Sequence, residues 1–295
     1  MNSAVDLYEA DLHCHTTASD GLLSPTELVQ LAAKLGLKGI GITDHDTIQG
    51  WKEAEEAGAY YKIRILKGIE LNTNWQGKEV HILGYEVDSS SNYFIDKLRV
   101  LRKAREKRME EILGRFNGLG INIAVDEVQQ FAQGESIGRP HIAQVLIERG
   151  YVKTIREGFE QFIGKGAPAY VSRYKLTPEE GICLIREAHG VAVLAHPGAH
   201  RLEDGIPAWV NAGLQGIEVL HSEHNLDDEK KYFEIAQKYS LLKTGGSDFH
   251  GEARKPGVNL GGWGVPIEVI QQIMDLAQSA KSLHISVKSG IVDLT

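Results

Sequence analysis

Cysteine is nearly absent: Cys14 and Cys183 are the only two in 295 residues, too few for a disulfide framework. Long apolar runs are missing as well. No stretch approaches the ~18 consecutive apolar residues that a membrane span needs, and the opening MNSAVDLYEA has no basic stretch leading into an apolar one. Neither secretion nor a membrane is expected; a cytoplasmic location is. Positive charge is not in excess either. Asp and Glu number 40 against 32 Lys and Arg, a formal net charge of -8, which excludes the broad basic surface that duplex DNA requires. Internal repeats and low-complexity tracts are lacking. What is present is a hydrophobic share of 42%, enough for one large domain or two small ones.

Periodicity divides the chain into residues 1–90, 91–175 and 176–295. In the first part, strands are expected at Val5–His13, Gly39–Thr43, Ile63–Leu71 and Glu79–Val87, with helices at Pro25–Leu37 and Gln49–Lys62. The third part repeats the alternation. A helix opens at Thr177 and Pro178, strands follow at Val191–Ala195, Gly216–His221 and Leu241–Gly245, and helices at Asp227–Tyr239 and Pro266–Lys281. Such alternation means a largely parallel α/β sheet or barrel, with the two parts as halves of one domain.

The middle part reads as helices without strands: Tyr93–Phe116, His141–Arg149 and Ile155–Ile163. Residues 91–175 carry 15 Lys and Arg against 10 Asp and Glu, a net of +5, and the remainder 17 against 30, a net of -13. A basic helical module is therefore expected within an acidic α/β body. It would cap the site and hold the substrate.

Histidines and acids fall at the strand ends. His13 and His15 are two apart on the first strand, so their side chains leave on one face, as metal ligands must. Thr43-Asp44-His45-Asp46 ends the second strand, Glu70 the third, and His81 lies in the fourth. Further on come His196 in AHPG, Glu218 and His221, and Asp248 and His250 in SDFH. Strand ends in barrels and open α/β sheets converge on one site, and a cluster of imidazoles and carboxylates is costly to bury unless cations fill it. The count exceeds the ligands of one catalytic metal, so at least two are expected, of the zinc, manganese or iron kind. Hydrolysis of a phosphate ester is the natural reaction, with amide or lactone hydrolysis as the competitor.

The ordered set DLHCH, ITDHD, KGIE, HILGY, AHPG and GSDFH resembles the polymerase and histidinol phosphatase (PHP) family. TTASDG, GRPH and the tract through Tyr170 and Val171 resemble its stand-alone bacterial phosphoesterases, in the branch of 3',5'-nucleoside bisphosphatases and enzymes that trim short RNA from the 5' end. The resemblance implies a distorted (β/α)7 barrel with a small, mostly helical cap inserted, and two or three divalent metals. It implies that His13, His15, Glu70 and Asp248 bind one metal and supply the site of the attacking hydroxide. Glu70 would bridge to a second metal, held also by His81 and His196, and Asp20, His45 and His250 would bind a third.

Other residues have two readings. His221, outside these nine, is expected either to donate a proton to the leaving group or to be structural. Asp44 is a turn former or orients a liganding ring, and His200 could reach the site mouth. Cys14 points to the opposite strand face and reads as a buried filler. The run Arg99, Arg102, Lys103, Arg105, Lys107 and Arg108 reads as a solvated helix face. Arg139, His141 and Lys165, with Arg173, are expected to clamp a second phosphate. The expected partner is a small phosphorylated nucleotide or short RNA, not duplex DNA, and self-association stays open. Three functions are compatible: hydrolysis of a nucleoside 3',5'-bisphosphate, 5'-to-3' exonuclease action on short RNA, and non-catalytic nucleotide sensing.

Overall fold

Seven short strands carry the apolar runs of the two α/β parts into a single sheet, in the spatial order of the sequence. In the computed structural model, which describes residues 8–288, these are β1 (Ala10–Cys14), β2 (Gly39–Ile42), β3 (Arg64–Trp75), β4 (Lys78–Tyr85), β5 (Val191–Leu194), β6 (Gly216–His221) and β7 (Leu242–Gly246). Val5, Asp6 and Leu7 of the expected first strand lie outside the described residues. The helices are α1 (Pro25–Leu35), α2 (Trp51–Tyr61), α3 (Asn92–Gly118), α4 (Val125–Gln129), α5 (Arg139–Glu148), α6 (Ile155–Gly158), α7 (Pro178–Glu187), α8 (Ile206–Asn211), α9 (Leu226–Lys238) and α10 (Glu268–Lys288). None is long and apolar enough to cross a membrane among the described residues.

Four strand pairings are parallel, but β4 runs antiparallel to both β3 and β5. The reason is local. Gln76 and Gly77 connect β3 to β4, with φ of 52° and 80°, the left-handed pair of a tight hairpin, and two residues cannot make a parallel crossover. Consequently His81 reaches the site from the middle of its strand, whereas β1, β2 and β7 deliver theirs at or just past their ends. The sheet nearly closes into a barrel. The Asp248 amide donates to the His13 carbonyl at 2.9 Å and the His15 amide to the Phe249 carbonyl at 2.9 Å. Glycine is needed at this seam, since a Cβ on Gly246 would lie 2.4 Å from that of His13.

Strand alternation separates two cores. Leu12, Leu83, Tyr85, Val191 and Val193 cluster with Ile270 and Ile273 of α10. Ile82, Ala192 and Leu194 instead join Leu28 and Val29 of α1 and Ile182 and Ile185 of α7. The helices are set by capping boxes: Ser24 with Glu27 opens α1, and Thr177 with Glu180 opens α7, each followed by proline at the first turn.

Helix α3 links barrel and module. Its buried stripe runs Phe94, Leu98, Leu101, Arg105, Arg108, Ile112 and Phe116, at the three- and four-residue steps of one helix face. Phe94, Leu98 and Leu101 pack into the barrel cluster, whereas Ile112 and Phe116 join Val128, Ile142, Leu146 and Ile163 in a separate cluster. The division at residue 91 thus does not coincide with a break in packing. Module and barrel also touch elsewhere: the Glu135 amide donates to Gln49 Oε1 at 3.0 Å and Arg254 to the Pro140 carbonyl at 2.8 Å.

Candidate metal centre

All nine residues expected as ligands meet at one rim of the barrel. Their ligand atoms fall into groups within 4.8 Å: His13, His15, Glu70 and Asp248; Glu70, His81 and His196; and His15, Asp20, His45 and His250. Glu70, wholly buried, is the hub. Its Oε2 lies 3.4 Å from His13 Nε2, 3.1 Å from His15 Nε2 and 2.9 Å from His45 Nδ1, while Oε1 lies 2.6 Å from His81 Nδ1 and 3.2 Å from His196 Nε2. Asp248 Oδ1 lies 3.3 Å from His13 Nε2 and 3.1 Å from His15 Nε2.

His196 Nε2 makes a hydrogen bond to Glu70 Oε1, but for six other atoms proximity is not hydrogen bonding. His13 Nε2, His15 Nε2, His45 Nδ1, Glu70 Oε2, Asp20 Oδ1 and Asp248 Oδ1 are all buried without a hydrogen-bond partner. Unpaired buried polar atoms are expensive, and these six converge. Imidazole nitrogens and carboxylate oxygens together are the donor set of a borderline divalent cation, so the residues fit such ions. Without one, protons do the balancing. Burial would lower the His15 pKa, but the adjacent carboxylates of Asp248 and Glu70 outweigh it and raise it to about 10. His81 is likewise lifted to about 9, against burial, by Glu70. Burial would raise Glu70, yet His81, His45 and His13 hold it well below the usual carboxylate range.

Strain concentrates in the same place. Asp46, His196 and Asp248 have φ of 54°, 28° and 57°, left-handed values that residues with a Cβ seldom adopt.

A second layer fixes the rings. Glu218, at the centre of β6, accepts from His13 Nδ1 at 3.2 Å and from the His196 amide at 2.8 Å, which leaves His13 Nε2 for the cluster. Asp44 accepts from the Thr16 amide and hydroxyl and from Ser19 Oγ, so it shapes the loop and reaches His15 only through Ser19, 3.5 Å from its Nδ1. Lys255 donates to Asp248 Oδ2 at 2.6 Å and to Glu223 at 2.8 Å. Cys14 is wholly buried in the outer core.

Two expectations are corrected. His221 lines neither of the two cavities at the site. Its Nδ1 accepts the Glu223 amide at 3.1 Å, and burial pushes its pKa well below the ordinary value. Its ring lies 5.8 Å from that of His13 and 5.0 Å from that of His196, away from both cavities, which favours the structural of its two readings. His141 is withdrawn from the phosphate clamp: its Nδ1 accepts the Gly138 amide at 3.0 Å, closing the first turn of α5, and burial lowers its pKa to about 4.

In the helix run read as solvated, Arg99, Lys103 and Lys107 are exposed, and the reading is corrected at Arg105 and Arg108. Arg105 and Arg108 are 4% and 7% exposed, and with Arg139 and Arg173 they line the cavity of about 670 Å³ that also contains Asp20, His45, Glu70, His81, His196 and Asp248. Arg105 Nε and Arg173 Nη2 both donate to Asp46 Oδ2, at 2.7 and 3.0 Å, and both guanidinium groups reach Asn72 Oδ1. Burial lowers Arg173 to about 10. Arg108 has no hydrogen bond or salt bridge among the described residues. Burial, then the like charges of Arg105, Arg139 and Arg173, act against its charge. The legible signal was spacing: Arg105 and Arg108 continue the apolar stripe of α3.

Arg139 lies over the Phe159 ring at 5.0 Å, and Phe159 sits in a π-helical turn, Phe159–Ile163. A second cavity of about 980 Å³ shares Glu79, Arg108, Arg139, Phe159, Arg173 and His200 with the first, and carries Lys165, Tyr170, Tyr174 and Lys175 on its walls. Lys165 is exposed there, its Nζ 3.2 Å from the Gly77 carbonyl.

Comparison with known proteins agrees with this geometry. The profile of the PHP domain matches residues 11–164. A 5'-3' exoribonuclease of Haemophilus influenzae is 35% identical over 81% of this chain and 89% of its own. A 3',5'-nucleoside bisphosphate phosphatase of Chromobacterium violaceum is 35% identical over 81% of this chain and 86% of its own. A solved structure from Bifidobacterium adolescentis, provisionally described as a metal-dependent phosphoesterase, superposes with a TM-score of 0.85 at 31% identity, covering 91% of this chain and 96% of that one. With ligand groups, barrel and profile in agreement, the chain belongs to the PHP domain family and is a metal-dependent phosphoesterase.

Proposed function

We propose that the chain removes a phosphate from a small nucleotide bearing two phosphates, a nucleoside 3',5'-bisphosphate. One observation carries this reading: a single cavity of about 670 Å³ has candidate metal ligands on one side and four arginines on the other. That volume suits a mononucleotide. The Chromobacterium relative's named activity supports it.

Two or three divalent ions (manganese, zinc or iron), held by His13, His15, Glu70 and Asp248, by Glu70, His81 and His196, and by Asp20, His45 and His250, would neutralise the phosphoryl oxygens and acidify the attacking water. Protein side chains do the rest. Glu218 holds His13 in one tautomer. Arg108 grips the phosphate that is retained, with Arg139 and Arg173 beside it. Because Asp46 and Asn72 already hold Arg105 and Arg173, little rotamer entropy is lost on binding. Lys165 contacts only longer ligands, from the second cavity.

The continuity of the two cavities favours a second reading, 5'-to-3' exonuclease action on short RNA, in line with the Haemophilus relative's name. Non-catalytic nucleotide sensing has no such support, since all nine donors are intact. Metal-loaded protein should release phosphate from 3',5'-bisphosphoadenosine. If it degrades 5'-phosphorylated oligoribonucleotides and leaves the bisphosphate intact, the second reading replaces the first. Two or three bound metals without turnover of any phosphoester would favour sensing.

A further inference from the structure

Glu79 is out of character with the wall it occupies. Around it stand Arg108, Arg139, Arg173 and Lys175, and a phosphate drawn to those cations is repelled by a carboxylate. Its two oxygens are used unequally. Oε1 accepts from Lys175 Nζ at 2.6 Å and Asn72 Nδ2 at 3.3 Å, and lies 3.5 Å from His81 Nε2. Oε2 has no hydrogen bond among the described residues, and its ion-pair neighbour, Arg139 Nη2, is 3.8 Å away. Thus, apart from the metal-ligand cluster, the wall of Arg108, Arg139, Arg173 and Lys175 has an acceptor open at Glu79 Oε2.

Its position gives that acceptor a meaning. Glu79 precedes His81 by two residues on β4, so both side chains leave the same face. It stands between the metal-ligand cluster and Arg108 and Arg139, on the wall shared by both cavities. A ligand with one phosphate at each end must lay its sugar across this point. When the 3' and 5' oxygens are both esterified, the 2'-hydroxyl is the only donor left on the sugar, whether the ligand is a bisphosphate or the first residue of an RNA.

We infer that Glu79 Oε2 accepts a hydrogen bond from the ribose 2'-hydroxyl and makes the site selective for ribonucleotides. This rests on the nucleotide reading above. Glu79 is a specificity residue and takes no part in bond breaking.

The test compares adenosine 3',5'-bisphosphate with its 2'-deoxy analogue, by kcat/KM on metal-loaded protein and by Kd on protein stripped with a chelator. Wild type should prefer the ribonucleotide by about ten- to hundredfold in both measurements. E79A should bring both ratios to within about twofold, and E79Q, which keeps a neutral acceptor, should fall between. Because each result is a ratio, a general loss of activity through His81 cancels. A ribo-to-deoxy ratio unchanged in E79A, or a wild type that treats both nucleotides alike, overturns the inference and leaves the nucleotide reading standing. A wild type that neither binds nor hydrolyses either compound overturns both.

Discussion

The barrel rim and the arginine wall face each other across one cavity and solve opposite electrostatic problems. At the rim, carboxylates and imidazoles crowd around Glu70 with six buried atoms lacking partners. On the wall, Arg105 and Arg173 are tied to Asp46 and Asn72, while Arg108 has only like charges close by and Glu79 in its favour. One side is short of cations and the other of anions. A phosphate ester bound with divalent ions supplies both, which is why burying so much charge is tolerable here.

The largest effect should come from the rim. His13→Ala removes a donor shared by the Glu70 and Asp248 oxygens and should lower kcat by about 10³-fold or more, with the far-ultraviolet dichroism spectrum unchanged. Full activity in this variant would break the assignment of the rim to metal. The wall should behave differently. Arg108→Met removes a charged contact worth about 1.5–3 kcal/mol and should raise KM for the bisphosphate by about ten- to hundredfold while kcat changes little. A loss confined to kcat would move Arg108 to the reacting phosphate.

The smallest effect concerns the metal-free protein. His15 and His81 titrate near 10 and 9 when folded, against 6.5 unfolded. Groups raised on folding give stability that is fully present below the unfolded pKa and is lost as pH rises through the folded value. In a chelator, Tm by calorimetry should therefore fall by several degrees from about pH 7 to about pH 10. Metal-loaded protein, whose rings are already deprotonated, should fall less. Equal declines would mean that the rim rings do not exchange protons for metal.

Much of this was legible in the chain. Ser24-Pro25 and Thr177-Pro178 announce two helix starts, and Val191–Leu194 and Gly216–His221 read as strands. The pairing of His13 with His15, and the run Asp44-His45-Asp46, announce ligating strand ends. Three things were harder to read. Arg105 and Arg108 sit in a run of charges that composition assigns to solvent, and only their register with Leu98 and Leu101 reveals the inner face. His141 and Arg139 look alike as neighbours in GRPH, yet one closes a helix turn and the other lines a cavity. His221 ends a strand as the ligands do, but its Nδ1 is taken by the backbone.

The sequence by itself placed most of the strands and helices and set histidines and acids at the strand ends, because these follow from local periodicity and from which atoms bind cations; the full set of nine donors came from the resemblance to the PHP family. Tertiary structure alone decided which charges are buried, that Glu218 orients His13, that α3 carries two arginines into the cavity, and that Glu79 keeps one oxygen open between the metal-ligand cluster and Arg139. Those outcomes depend on which side chains meet across the barrel seam and the α3 junction, contacts between residues as far apart as His13 and Glu218 that no local pattern encodes.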